Sequence, residues 1–224
     1  MRALCVTLGV LVLIGVWVGP LRQLAPGPFA AHMTMHMGVV AVAAPLLALG
    51  VAGSRFDPVR RAPKLLAPIP ASVVELVVVW AWHTPALHHV ARHSAAGVLA
   101  EQATFLGTGL LVWIAALGGD ERERLNRTGA GIVALLLTSM HMTLLGALLA
   151  LPPRPLYAHA HHGSSLTPLE DQHLGGAIML IAGGASYLLG GLWLTARLVR
   201  SGRVAASSSF RVTPRAGAPA GRES

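Results

Sequence analysis

The sequence contains a single cysteine, a single lysine and little charge of either sign. Cys5 is the sole cysteine among 224 residues, which excludes an intrachain disulfide, a CxxC redox pair and a thiolate metal cluster. Lys64 is the only lysine, and no Gly-rich phosphate loop precedes it, so a P-loop nucleotide site is excluded. Neither H-E-x-x-H nor G-x-S-x-G occurs, which removes support for zincin and serine-hydrolase chemistry. We expect no enzymatic activity. Charged residues make up only 12% of the chain, about half the share of a soluble domain. Acidic residues number 9 against 17 basic ones, giving a net charge of +8. This excess is not the footprint of a nucleic-acid binder, because the basic residues sit in short loops and a tail between apolar runs. Hydrophobic residues reach 54% and the mean hydropathy is +0.61. That is the composition of an integral membrane protein, with the lipid bilayer as its first partner.

A helix needs about 20 apolar residues to cross about 30 Å of hydrocarbon. Six segments approach this, over about 3–18, 31–50, 66–83, 97–117, 129–151 and 174–198. With the N-terminus inside, fourteen Lys and Arg residues fall on the cytoplasmic side and three outside; the reverse orientation breaks the positive-inside rule. The expected fold class is therefore all-α, a polytopic membrane helical bundle of about six transmembrane helices with both termini cytoplasmic. Residues 1–200 form one bundle domain, and 201–224, rich in Ser, Ala, Gly, Pro and Arg, read as a disordered basic tail. The first segment reads as an uncleaved helix, since no A-x-A cleavage pattern follows it. Glycine pairs at 175–176, 183–184 and 190–191 lie on one stripe of the sixth helix and predict a close packing seam. Pro45 predicts a kink in the second helix.

Of the eleven histidines, ten fall in the outer half or the outer loops under this topology. His32 and His36 are four apart, so both imidazoles leave one helix face. Met33 and Met37 repeat that spacing on the neighbouring stripe. The fifth helix carries Met140-His141-Met142, and His141 is the histidine nearest mid-membrane. Imidazole with thioether is a soft nitrogen–sulfur ligand set that favours copper over magnesium or calcium. The methionines also have a plain packing reading, the commoner fate of a membrane methionine. His159, His161 and His162 form a looser tract in an outer loop, where metal capture and simple solvation are both open. His88 and His89 are weaker candidates, and His89 pairs with His93 only if that stretch is helical.

Three acids complete the candidates. Glu75 lies near the middle of the third helix, where a carboxyl must face the bundle interior. It is a candidate partner for a ligating imidazole or a structural hydrogen bond. Glu101, near the outer end of the fourth helix, is a candidate partner for an outer histidine. Glu170 and Asp171 open the sixth helix, where the positive helix end favours carboxylates, and capping is the expected role.

These residues resemble the CtaG-like family of cytochrome c oxidase assembly factors, multi-helix proteins of the bacterial plasma (inner) membrane associated with caa-type oxidases. The resemblance rests on several motifs. His32-Met33-x-x-His36-Met37 is followed by Ala44-Pro45-Leu46-Leu47, then Trp80-x-Trp82-His83-x-Pro85. Phe105-Leu106 with Trp113 and Thr167-Pro168-Leu169-x-Asp171-Gln172 come later. One position departs from it: Gln102 stands beside Glu101 where a second histidine is expected. The resemblance implies oxidase maturation with copper bound or delivered at the outer face. Its partners would be oxidase subunits or other copper-handling proteins. The candidate metal ligands are then His32, His36, Met33, Met37, His83 and His141, with Glu75, Glu101 and Asp171 as supporting polar groups. The alternatives are a membrane haem protein with His36 and His141 as axial ligands, a copper importer using the same ligands, and a scaffold whose histidines are dispensable.

Overall fold

Proline and hydroxyl residues set where the helices begin. In a computed structural model, residues 1–19, 21, 28–119, 124–157 and 166–209 are described, and among them seven helices of nine or more residues follow in chain order. The first, α1, spans Arg2–Trp17, and α2 is continuous from Phe29 to Val51. Next come α3 at Pro68–Trp82, α4 at Pro85–His93 and α5 at Ala95–Leu117. Finally α6 covers Arg124–Ala150, and α7 runs through Pro168–Ile178, Met179–Gly183 and Gly184–Ser209. Thr84, Ser94 and Thr167 cap α4, α5 and α7 by accepting from first-turn N–H groups, which satisfies donors that a helix start leaves open. Pro68, Pro85 and Pro168 occupy first-turn positions, where the missing proline N–H costs nothing.

The structure is a polytopic helical bundle without strands among the described residues. α2, α5, α6 and α7 are long and apolar enough to cross a membrane, while α1 and α3 are shorter apolar helices. α4 was expected as a loop with a conditional helix, and it is helical. Leu8, Leu11, Val73, Val77, Leu144, Leu148 and Leu189 are exposed along the bundle surface, as lipid-facing positions must be. α7 extends into the segment read as a tail, and residues 210–224 lie outside the described residues, as does the His159, His161 and His162 tract.

Two helices widen to π geometry, at Gly38–Ala43 in α2 and Met179–Gly183 in α7. The first has a local cause. Pro45 has no N–H to offer the carbonyl of Ala41, four residues back. Ser186 Oγ donates to Ala41 O at 2.7 Å. A neighbouring hydroxyl thus satisfies the backbone that the proline frees, as a membrane interior requires.

The glycine pairs of α7 form the expected seam. A Cβ at Gly175 would strike Phe29 at 2.4 Å, and one at Gly190 would strike Trp113 at 2.4 Å. A Cβ at Gly176 would meet the backbone of Ala150 in α6 at 2.5 Å. The first glycine of each pair therefore admits α2 or α5, and the second admits α6. Around α2 gathers the buried core of Met33, Val39, Val40, Phe105, Met142 and Tyr187.

Candidate metal site

Asp171 fixes the start of α2 from the start of α7. Its Oδ2 accepts from Phe29 N at 2.6 Å and its Oδ1 from Ala30 N at 3.0 Å. A carboxylate at a helix N-terminus meets both the open N–H groups and the favourable dipole end. Capping was expected, but of its own helix; that task falls to Glu170, whose carboxylate and Thr167 form a reciprocal capping box. The same motif supplies Gln172, which accepts from Leu156 N at 2.6 Å and donates to Leu149 O at 3.1 Å. Every polar side chain of Thr167–Gln172 thus holds a helix end or a loop in place. His32 sits one turn inside the helix that Asp171 anchors.

α4 supplies a histidine that local pattern reading ranked low. The Thr84 cap and Pro85 set the helical phase so that His88 and Ala91 face inward. His89 and His93 face outward; their rings stack at 3.9 Å and His93 Nδ1 meets the His89 carbonyl at 2.8 Å. A tight corner turns α4 into α5: a Cβ at Gly97 would lie 2.5 Å from Val90 O. That close approach sets His88 over the first turns of α5, where Glu101 points inward.

The result is a buried cluster of His32, His88 and Glu101, with one ligand-type atom from each residue lying within 4.8 Å of the others. His32 Nε2 is 3.4 Å from Glu101 Oε1, and the His32 and His88 rings meet edge-on at 5.2 Å. Phe29 and Tyr157 flank His88, with ring centroids 5.6 and 4.4 Å away. Gln102 takes up the position where a second histidine was expected: its Nε2 donates to Glu101 Oε2 at 3.3 Å, and its Oε1 accepts from Trp17 Nε1 at 3.1 Å. The carboxylate is thereby oriented from two helices.

His36 and His83 form a second pair, with ring centroids 5.5 Å apart and Phe105 packed 3.8 Å from His36. His83 Nδ1 approaches Val79 O at 2.6 Å. A carbonyl only accepts, so Nδ1 carries the proton and Nε2 keeps its lone pair. That Nε2 and both ring nitrogens of His36 are buried without a hydrogen-bond partner among the described residues. Buried polar atoms in this condition call for an explanation, and an ion is one. Tyr157 Oη donates to the His83 carbonyl at 2.7 Å; burial pushes this phenol up from its ordinary value, so it stays protonated as a donor. Arg92, half-buried on α4, is pulled down from its ordinary value by burial, against the pull of Glu101 and Asp171.

The remaining candidates lie elsewhere. Met33 and Met37 are buried against the α7 seam: a Cβ at Gly175 would lie 3.0 Å from Met33 Cγ, and one at Gly183 would lie 3.2 Å from Met37 Sδ. In α6, Met140 is 68% exposed while Met142 is fully buried, so the two methionines beside His141 point to opposite sides. His141 is buried, with no ring contact to the other histidines among the described residues. Glu75 receives a short hydrogen bond from Tyr187 Oη, whose ring stacks on Trp113 at 5.2 Å. Its partner is thus a phenol in the core, not an imidazole. Glu75 and His83 nevertheless share one face of α3, with Ser72 and Val79.

A family model described as cytochrome c oxidase caa3 assembly factor matches residues 1–201. The chain belongs to the cytochrome c oxidase caa3 assembly factor family. The family indicates a membrane protein that assists oxidase assembly and associates with oxidase components. No curated protein and no solved structure matches the chain.

Proposed function

We propose that this family member handles copper as cargo during oxidase assembly, at the histidine-bearing end of the bundle. His32, His88 and Glu101 receive the ion, and His36 and His83 offer further imidazoles beside them. One observation carries the reading: two imidazoles and a carboxylate converge within 4.8 Å of one another while fully buried. Two ligands on one small ion stand at most about 4 Å apart, twice a metal–nitrogen bond of about 2.0–2.1 Å. The cluster therefore closes on an ion with side-chain adjustments of under about 1 Å. The donor set is nitrogen and oxygen, for which copper stands highest among the common divalent ions. Arg92 balances the acids when the ion is away. Non-catalytic delivery fits the family better than an enzymatic role, and the outer-face location follows from the positive-inside orientation.

The test is maturation of the oxidase in cells that depend on this protein. The double variant His32→Ala/His88→Ala should leave the oxidase copper-deficient while the variant protein still accumulates in the membrane. Normal oxidase copper with that variant would defeat the proposal. Copper entering the cytoplasm through the protein would favour an importer instead. Bound iron with a haem absorption band would favour the haem reading.

A further inference from the structure

The end of the bundle opposite the histidines carries a partly open pocket of about 320 Å³ that the metal site does not use. It lies where the start of α1, the ends of α2 and α5, the start of α6 and the last third of α7 meet. Arg2, Arg127 and Arg197 line it, with the hydroxyl residues Thr128 and Ser201. The described residues lining it include no aspartate or glutamate. Asp57 stands just behind Gly118, but its two oxygens already accept from the N–H groups of Gly53, Val59 and Gly119 at 2.7, 3.0 and 3.0 Å.

The arginines are held in place. Arg2 Nη2 donates to Gly53 O at 3.2 Å. Arg127 donates to the carbonyls of Pro63, Leu66 and Ala115 at 3.0, 2.7 and 3.2 Å. The Arg197 guanidinium lies 4.7 Å over the Trp193 ring. Three residues distant in sequence thus bring fixed positive charge to one concave space. The positive-inside rule asks only that such residues lie on one side of the membrane. It does not ask that they share a cavity, where their mutual repulsion disfavours the arrangement. A guanidinium presents paired donors that match the oxygens of a phosphate. A volume near 300 Å³ is at the small end of ligand pockets, enough for a phosphate with a few attached atoms. Basic pockets between membrane helices on the cytoplasmic side take anionic headgroups.

The geometry points to a binding site for a phosphate-bearing ligand, a lipid headgroup or a free phosphate compound, held by Arg2, Arg127 and Arg197. The full chain in detergent is titrated with phosphatidylglycerol, with phosphatidylcholine and with inorganic phosphate. Lipid retention is read by native mass spectrometry, and phosphate binding by thermal shift. The variant Arg2→Gln/Arg197→Gln leaves Arg127 to brace its loop. Arg55→Gln/Arg200→Gln removes equal charge from outside the cavity. We expect one phosphatidylglycerol per chain, phosphatidylcholine not retained, and binding about ten-fold weaker in the first variant for the loss of charge-assisted hydrogen bonds. The second variant should bind as the parent does. Lipid that millimolar phosphate cannot displace assigns a headgroup. Saturable phosphate binding without lipid retention assigns a soluble ligand, and either result upholds the site. Binding of neither probe, or equal weakening in both variants, overturns it. If the double variant does not fold, Arg197→Gln alone carries the test, because that side chain is exposed and its loss should still weaken binding several-fold.

Discussion

Replacing Asp171 with alanine removes both acceptors that hold the first two N–H groups of α2. The oxygens receive Phe29 N at 2.6 Å and Ala30 N at 3.0 Å, and the carboxylate is 1% exposed. A buried donor left without an acceptor costs about 1–3 kcal/mol, and loss of a helix cap typically costs about 1 kcal/mol. The two effects overlap, because the cap is made of these same bonds, so the expected loss is about 2–4 kcal/mol. Asp171→Asn keeps one carbonyl oxygen and should cost about half as much, while Glu170→Ala at the exposed capping box should cost less than either. The assay is reversible unfolding in mixed detergent micelles followed by circular dichroism, with a parallel copper titration. Because His32 lies within the first turn that Asp171 secures, Asp171→Ala should weaken copper binding although Asp171 is no ligand. An Asp171→Ala protein within about 0.5 kcal/mol of the parent, the usual range of a neutral surface change, would refute the reasoning that this carboxylate anchors the helix.

Ser186→Ala leaves the Ala41 carbonyl, freed by Pro45, without its 2.7 Å donor and should destabilise by about 1–2 kcal/mol in the same unfolding assay. Gly190→Ala places a methyl 2.4 Å from the Trp113 ring and should cost about 1–3 kcal/mol for the forced repacking. Gly15→Ala meets nothing within 4 Å and should not destabilise, with a gain of up to about 1 kcal/mol from the better helix former. Copper affinity should fall as pH is lowered from 7 to 4, since protons compete with the ion for the carboxylate and imidazole lone pairs that hold it. Each proton in competition with the ion weakens binding by up to about ten-fold per pH unit. Equilibrium titration across that range checks the sign, and stronger binding at the acidic end would contradict it.

The apolar runs made the bundle legible, because a 20-residue apolar stretch has few alternatives to a membrane helix. The glycine spacing of 8 and 7 likewise showed the α7 seam before any partner was known. The i, i+4 spacing placed His32 and His36 on one buried face, but could not say that one would meet His88 and Glu101 and the other His83. Those contacts join separate helices, and local periodicity carries no information about them. His88 was hidden for the same reason, although Thr84 and Pro85 gave the phase that turns it inward. Met33 and Met37 are four apart like the histidines, so sequence alone could not separate ligand from filler. Their place against Gly175 and Gly183 comes from how α2 and α7 pack. Asp171 reads locally as the cap of its own helix; only the fold shows that it caps α2, more than 140 positions earlier in the chain.

The central claim concerns which atoms hold copper, and the X-ray absorption spectrum of the copper-loaded protein addresses it directly. The account predicts nitrogen and oxygen neighbours at about 2.0–2.2 Å and no sulfur shell near about 2.3 Å, with a spectrum unchanged by Met33→Leu/Met37→Leu and lost with His32→Ala/His88→Ala. A sulfur shell that disappears in the methionine variant, or copper that stays bound without His32 and His88, would contradict it.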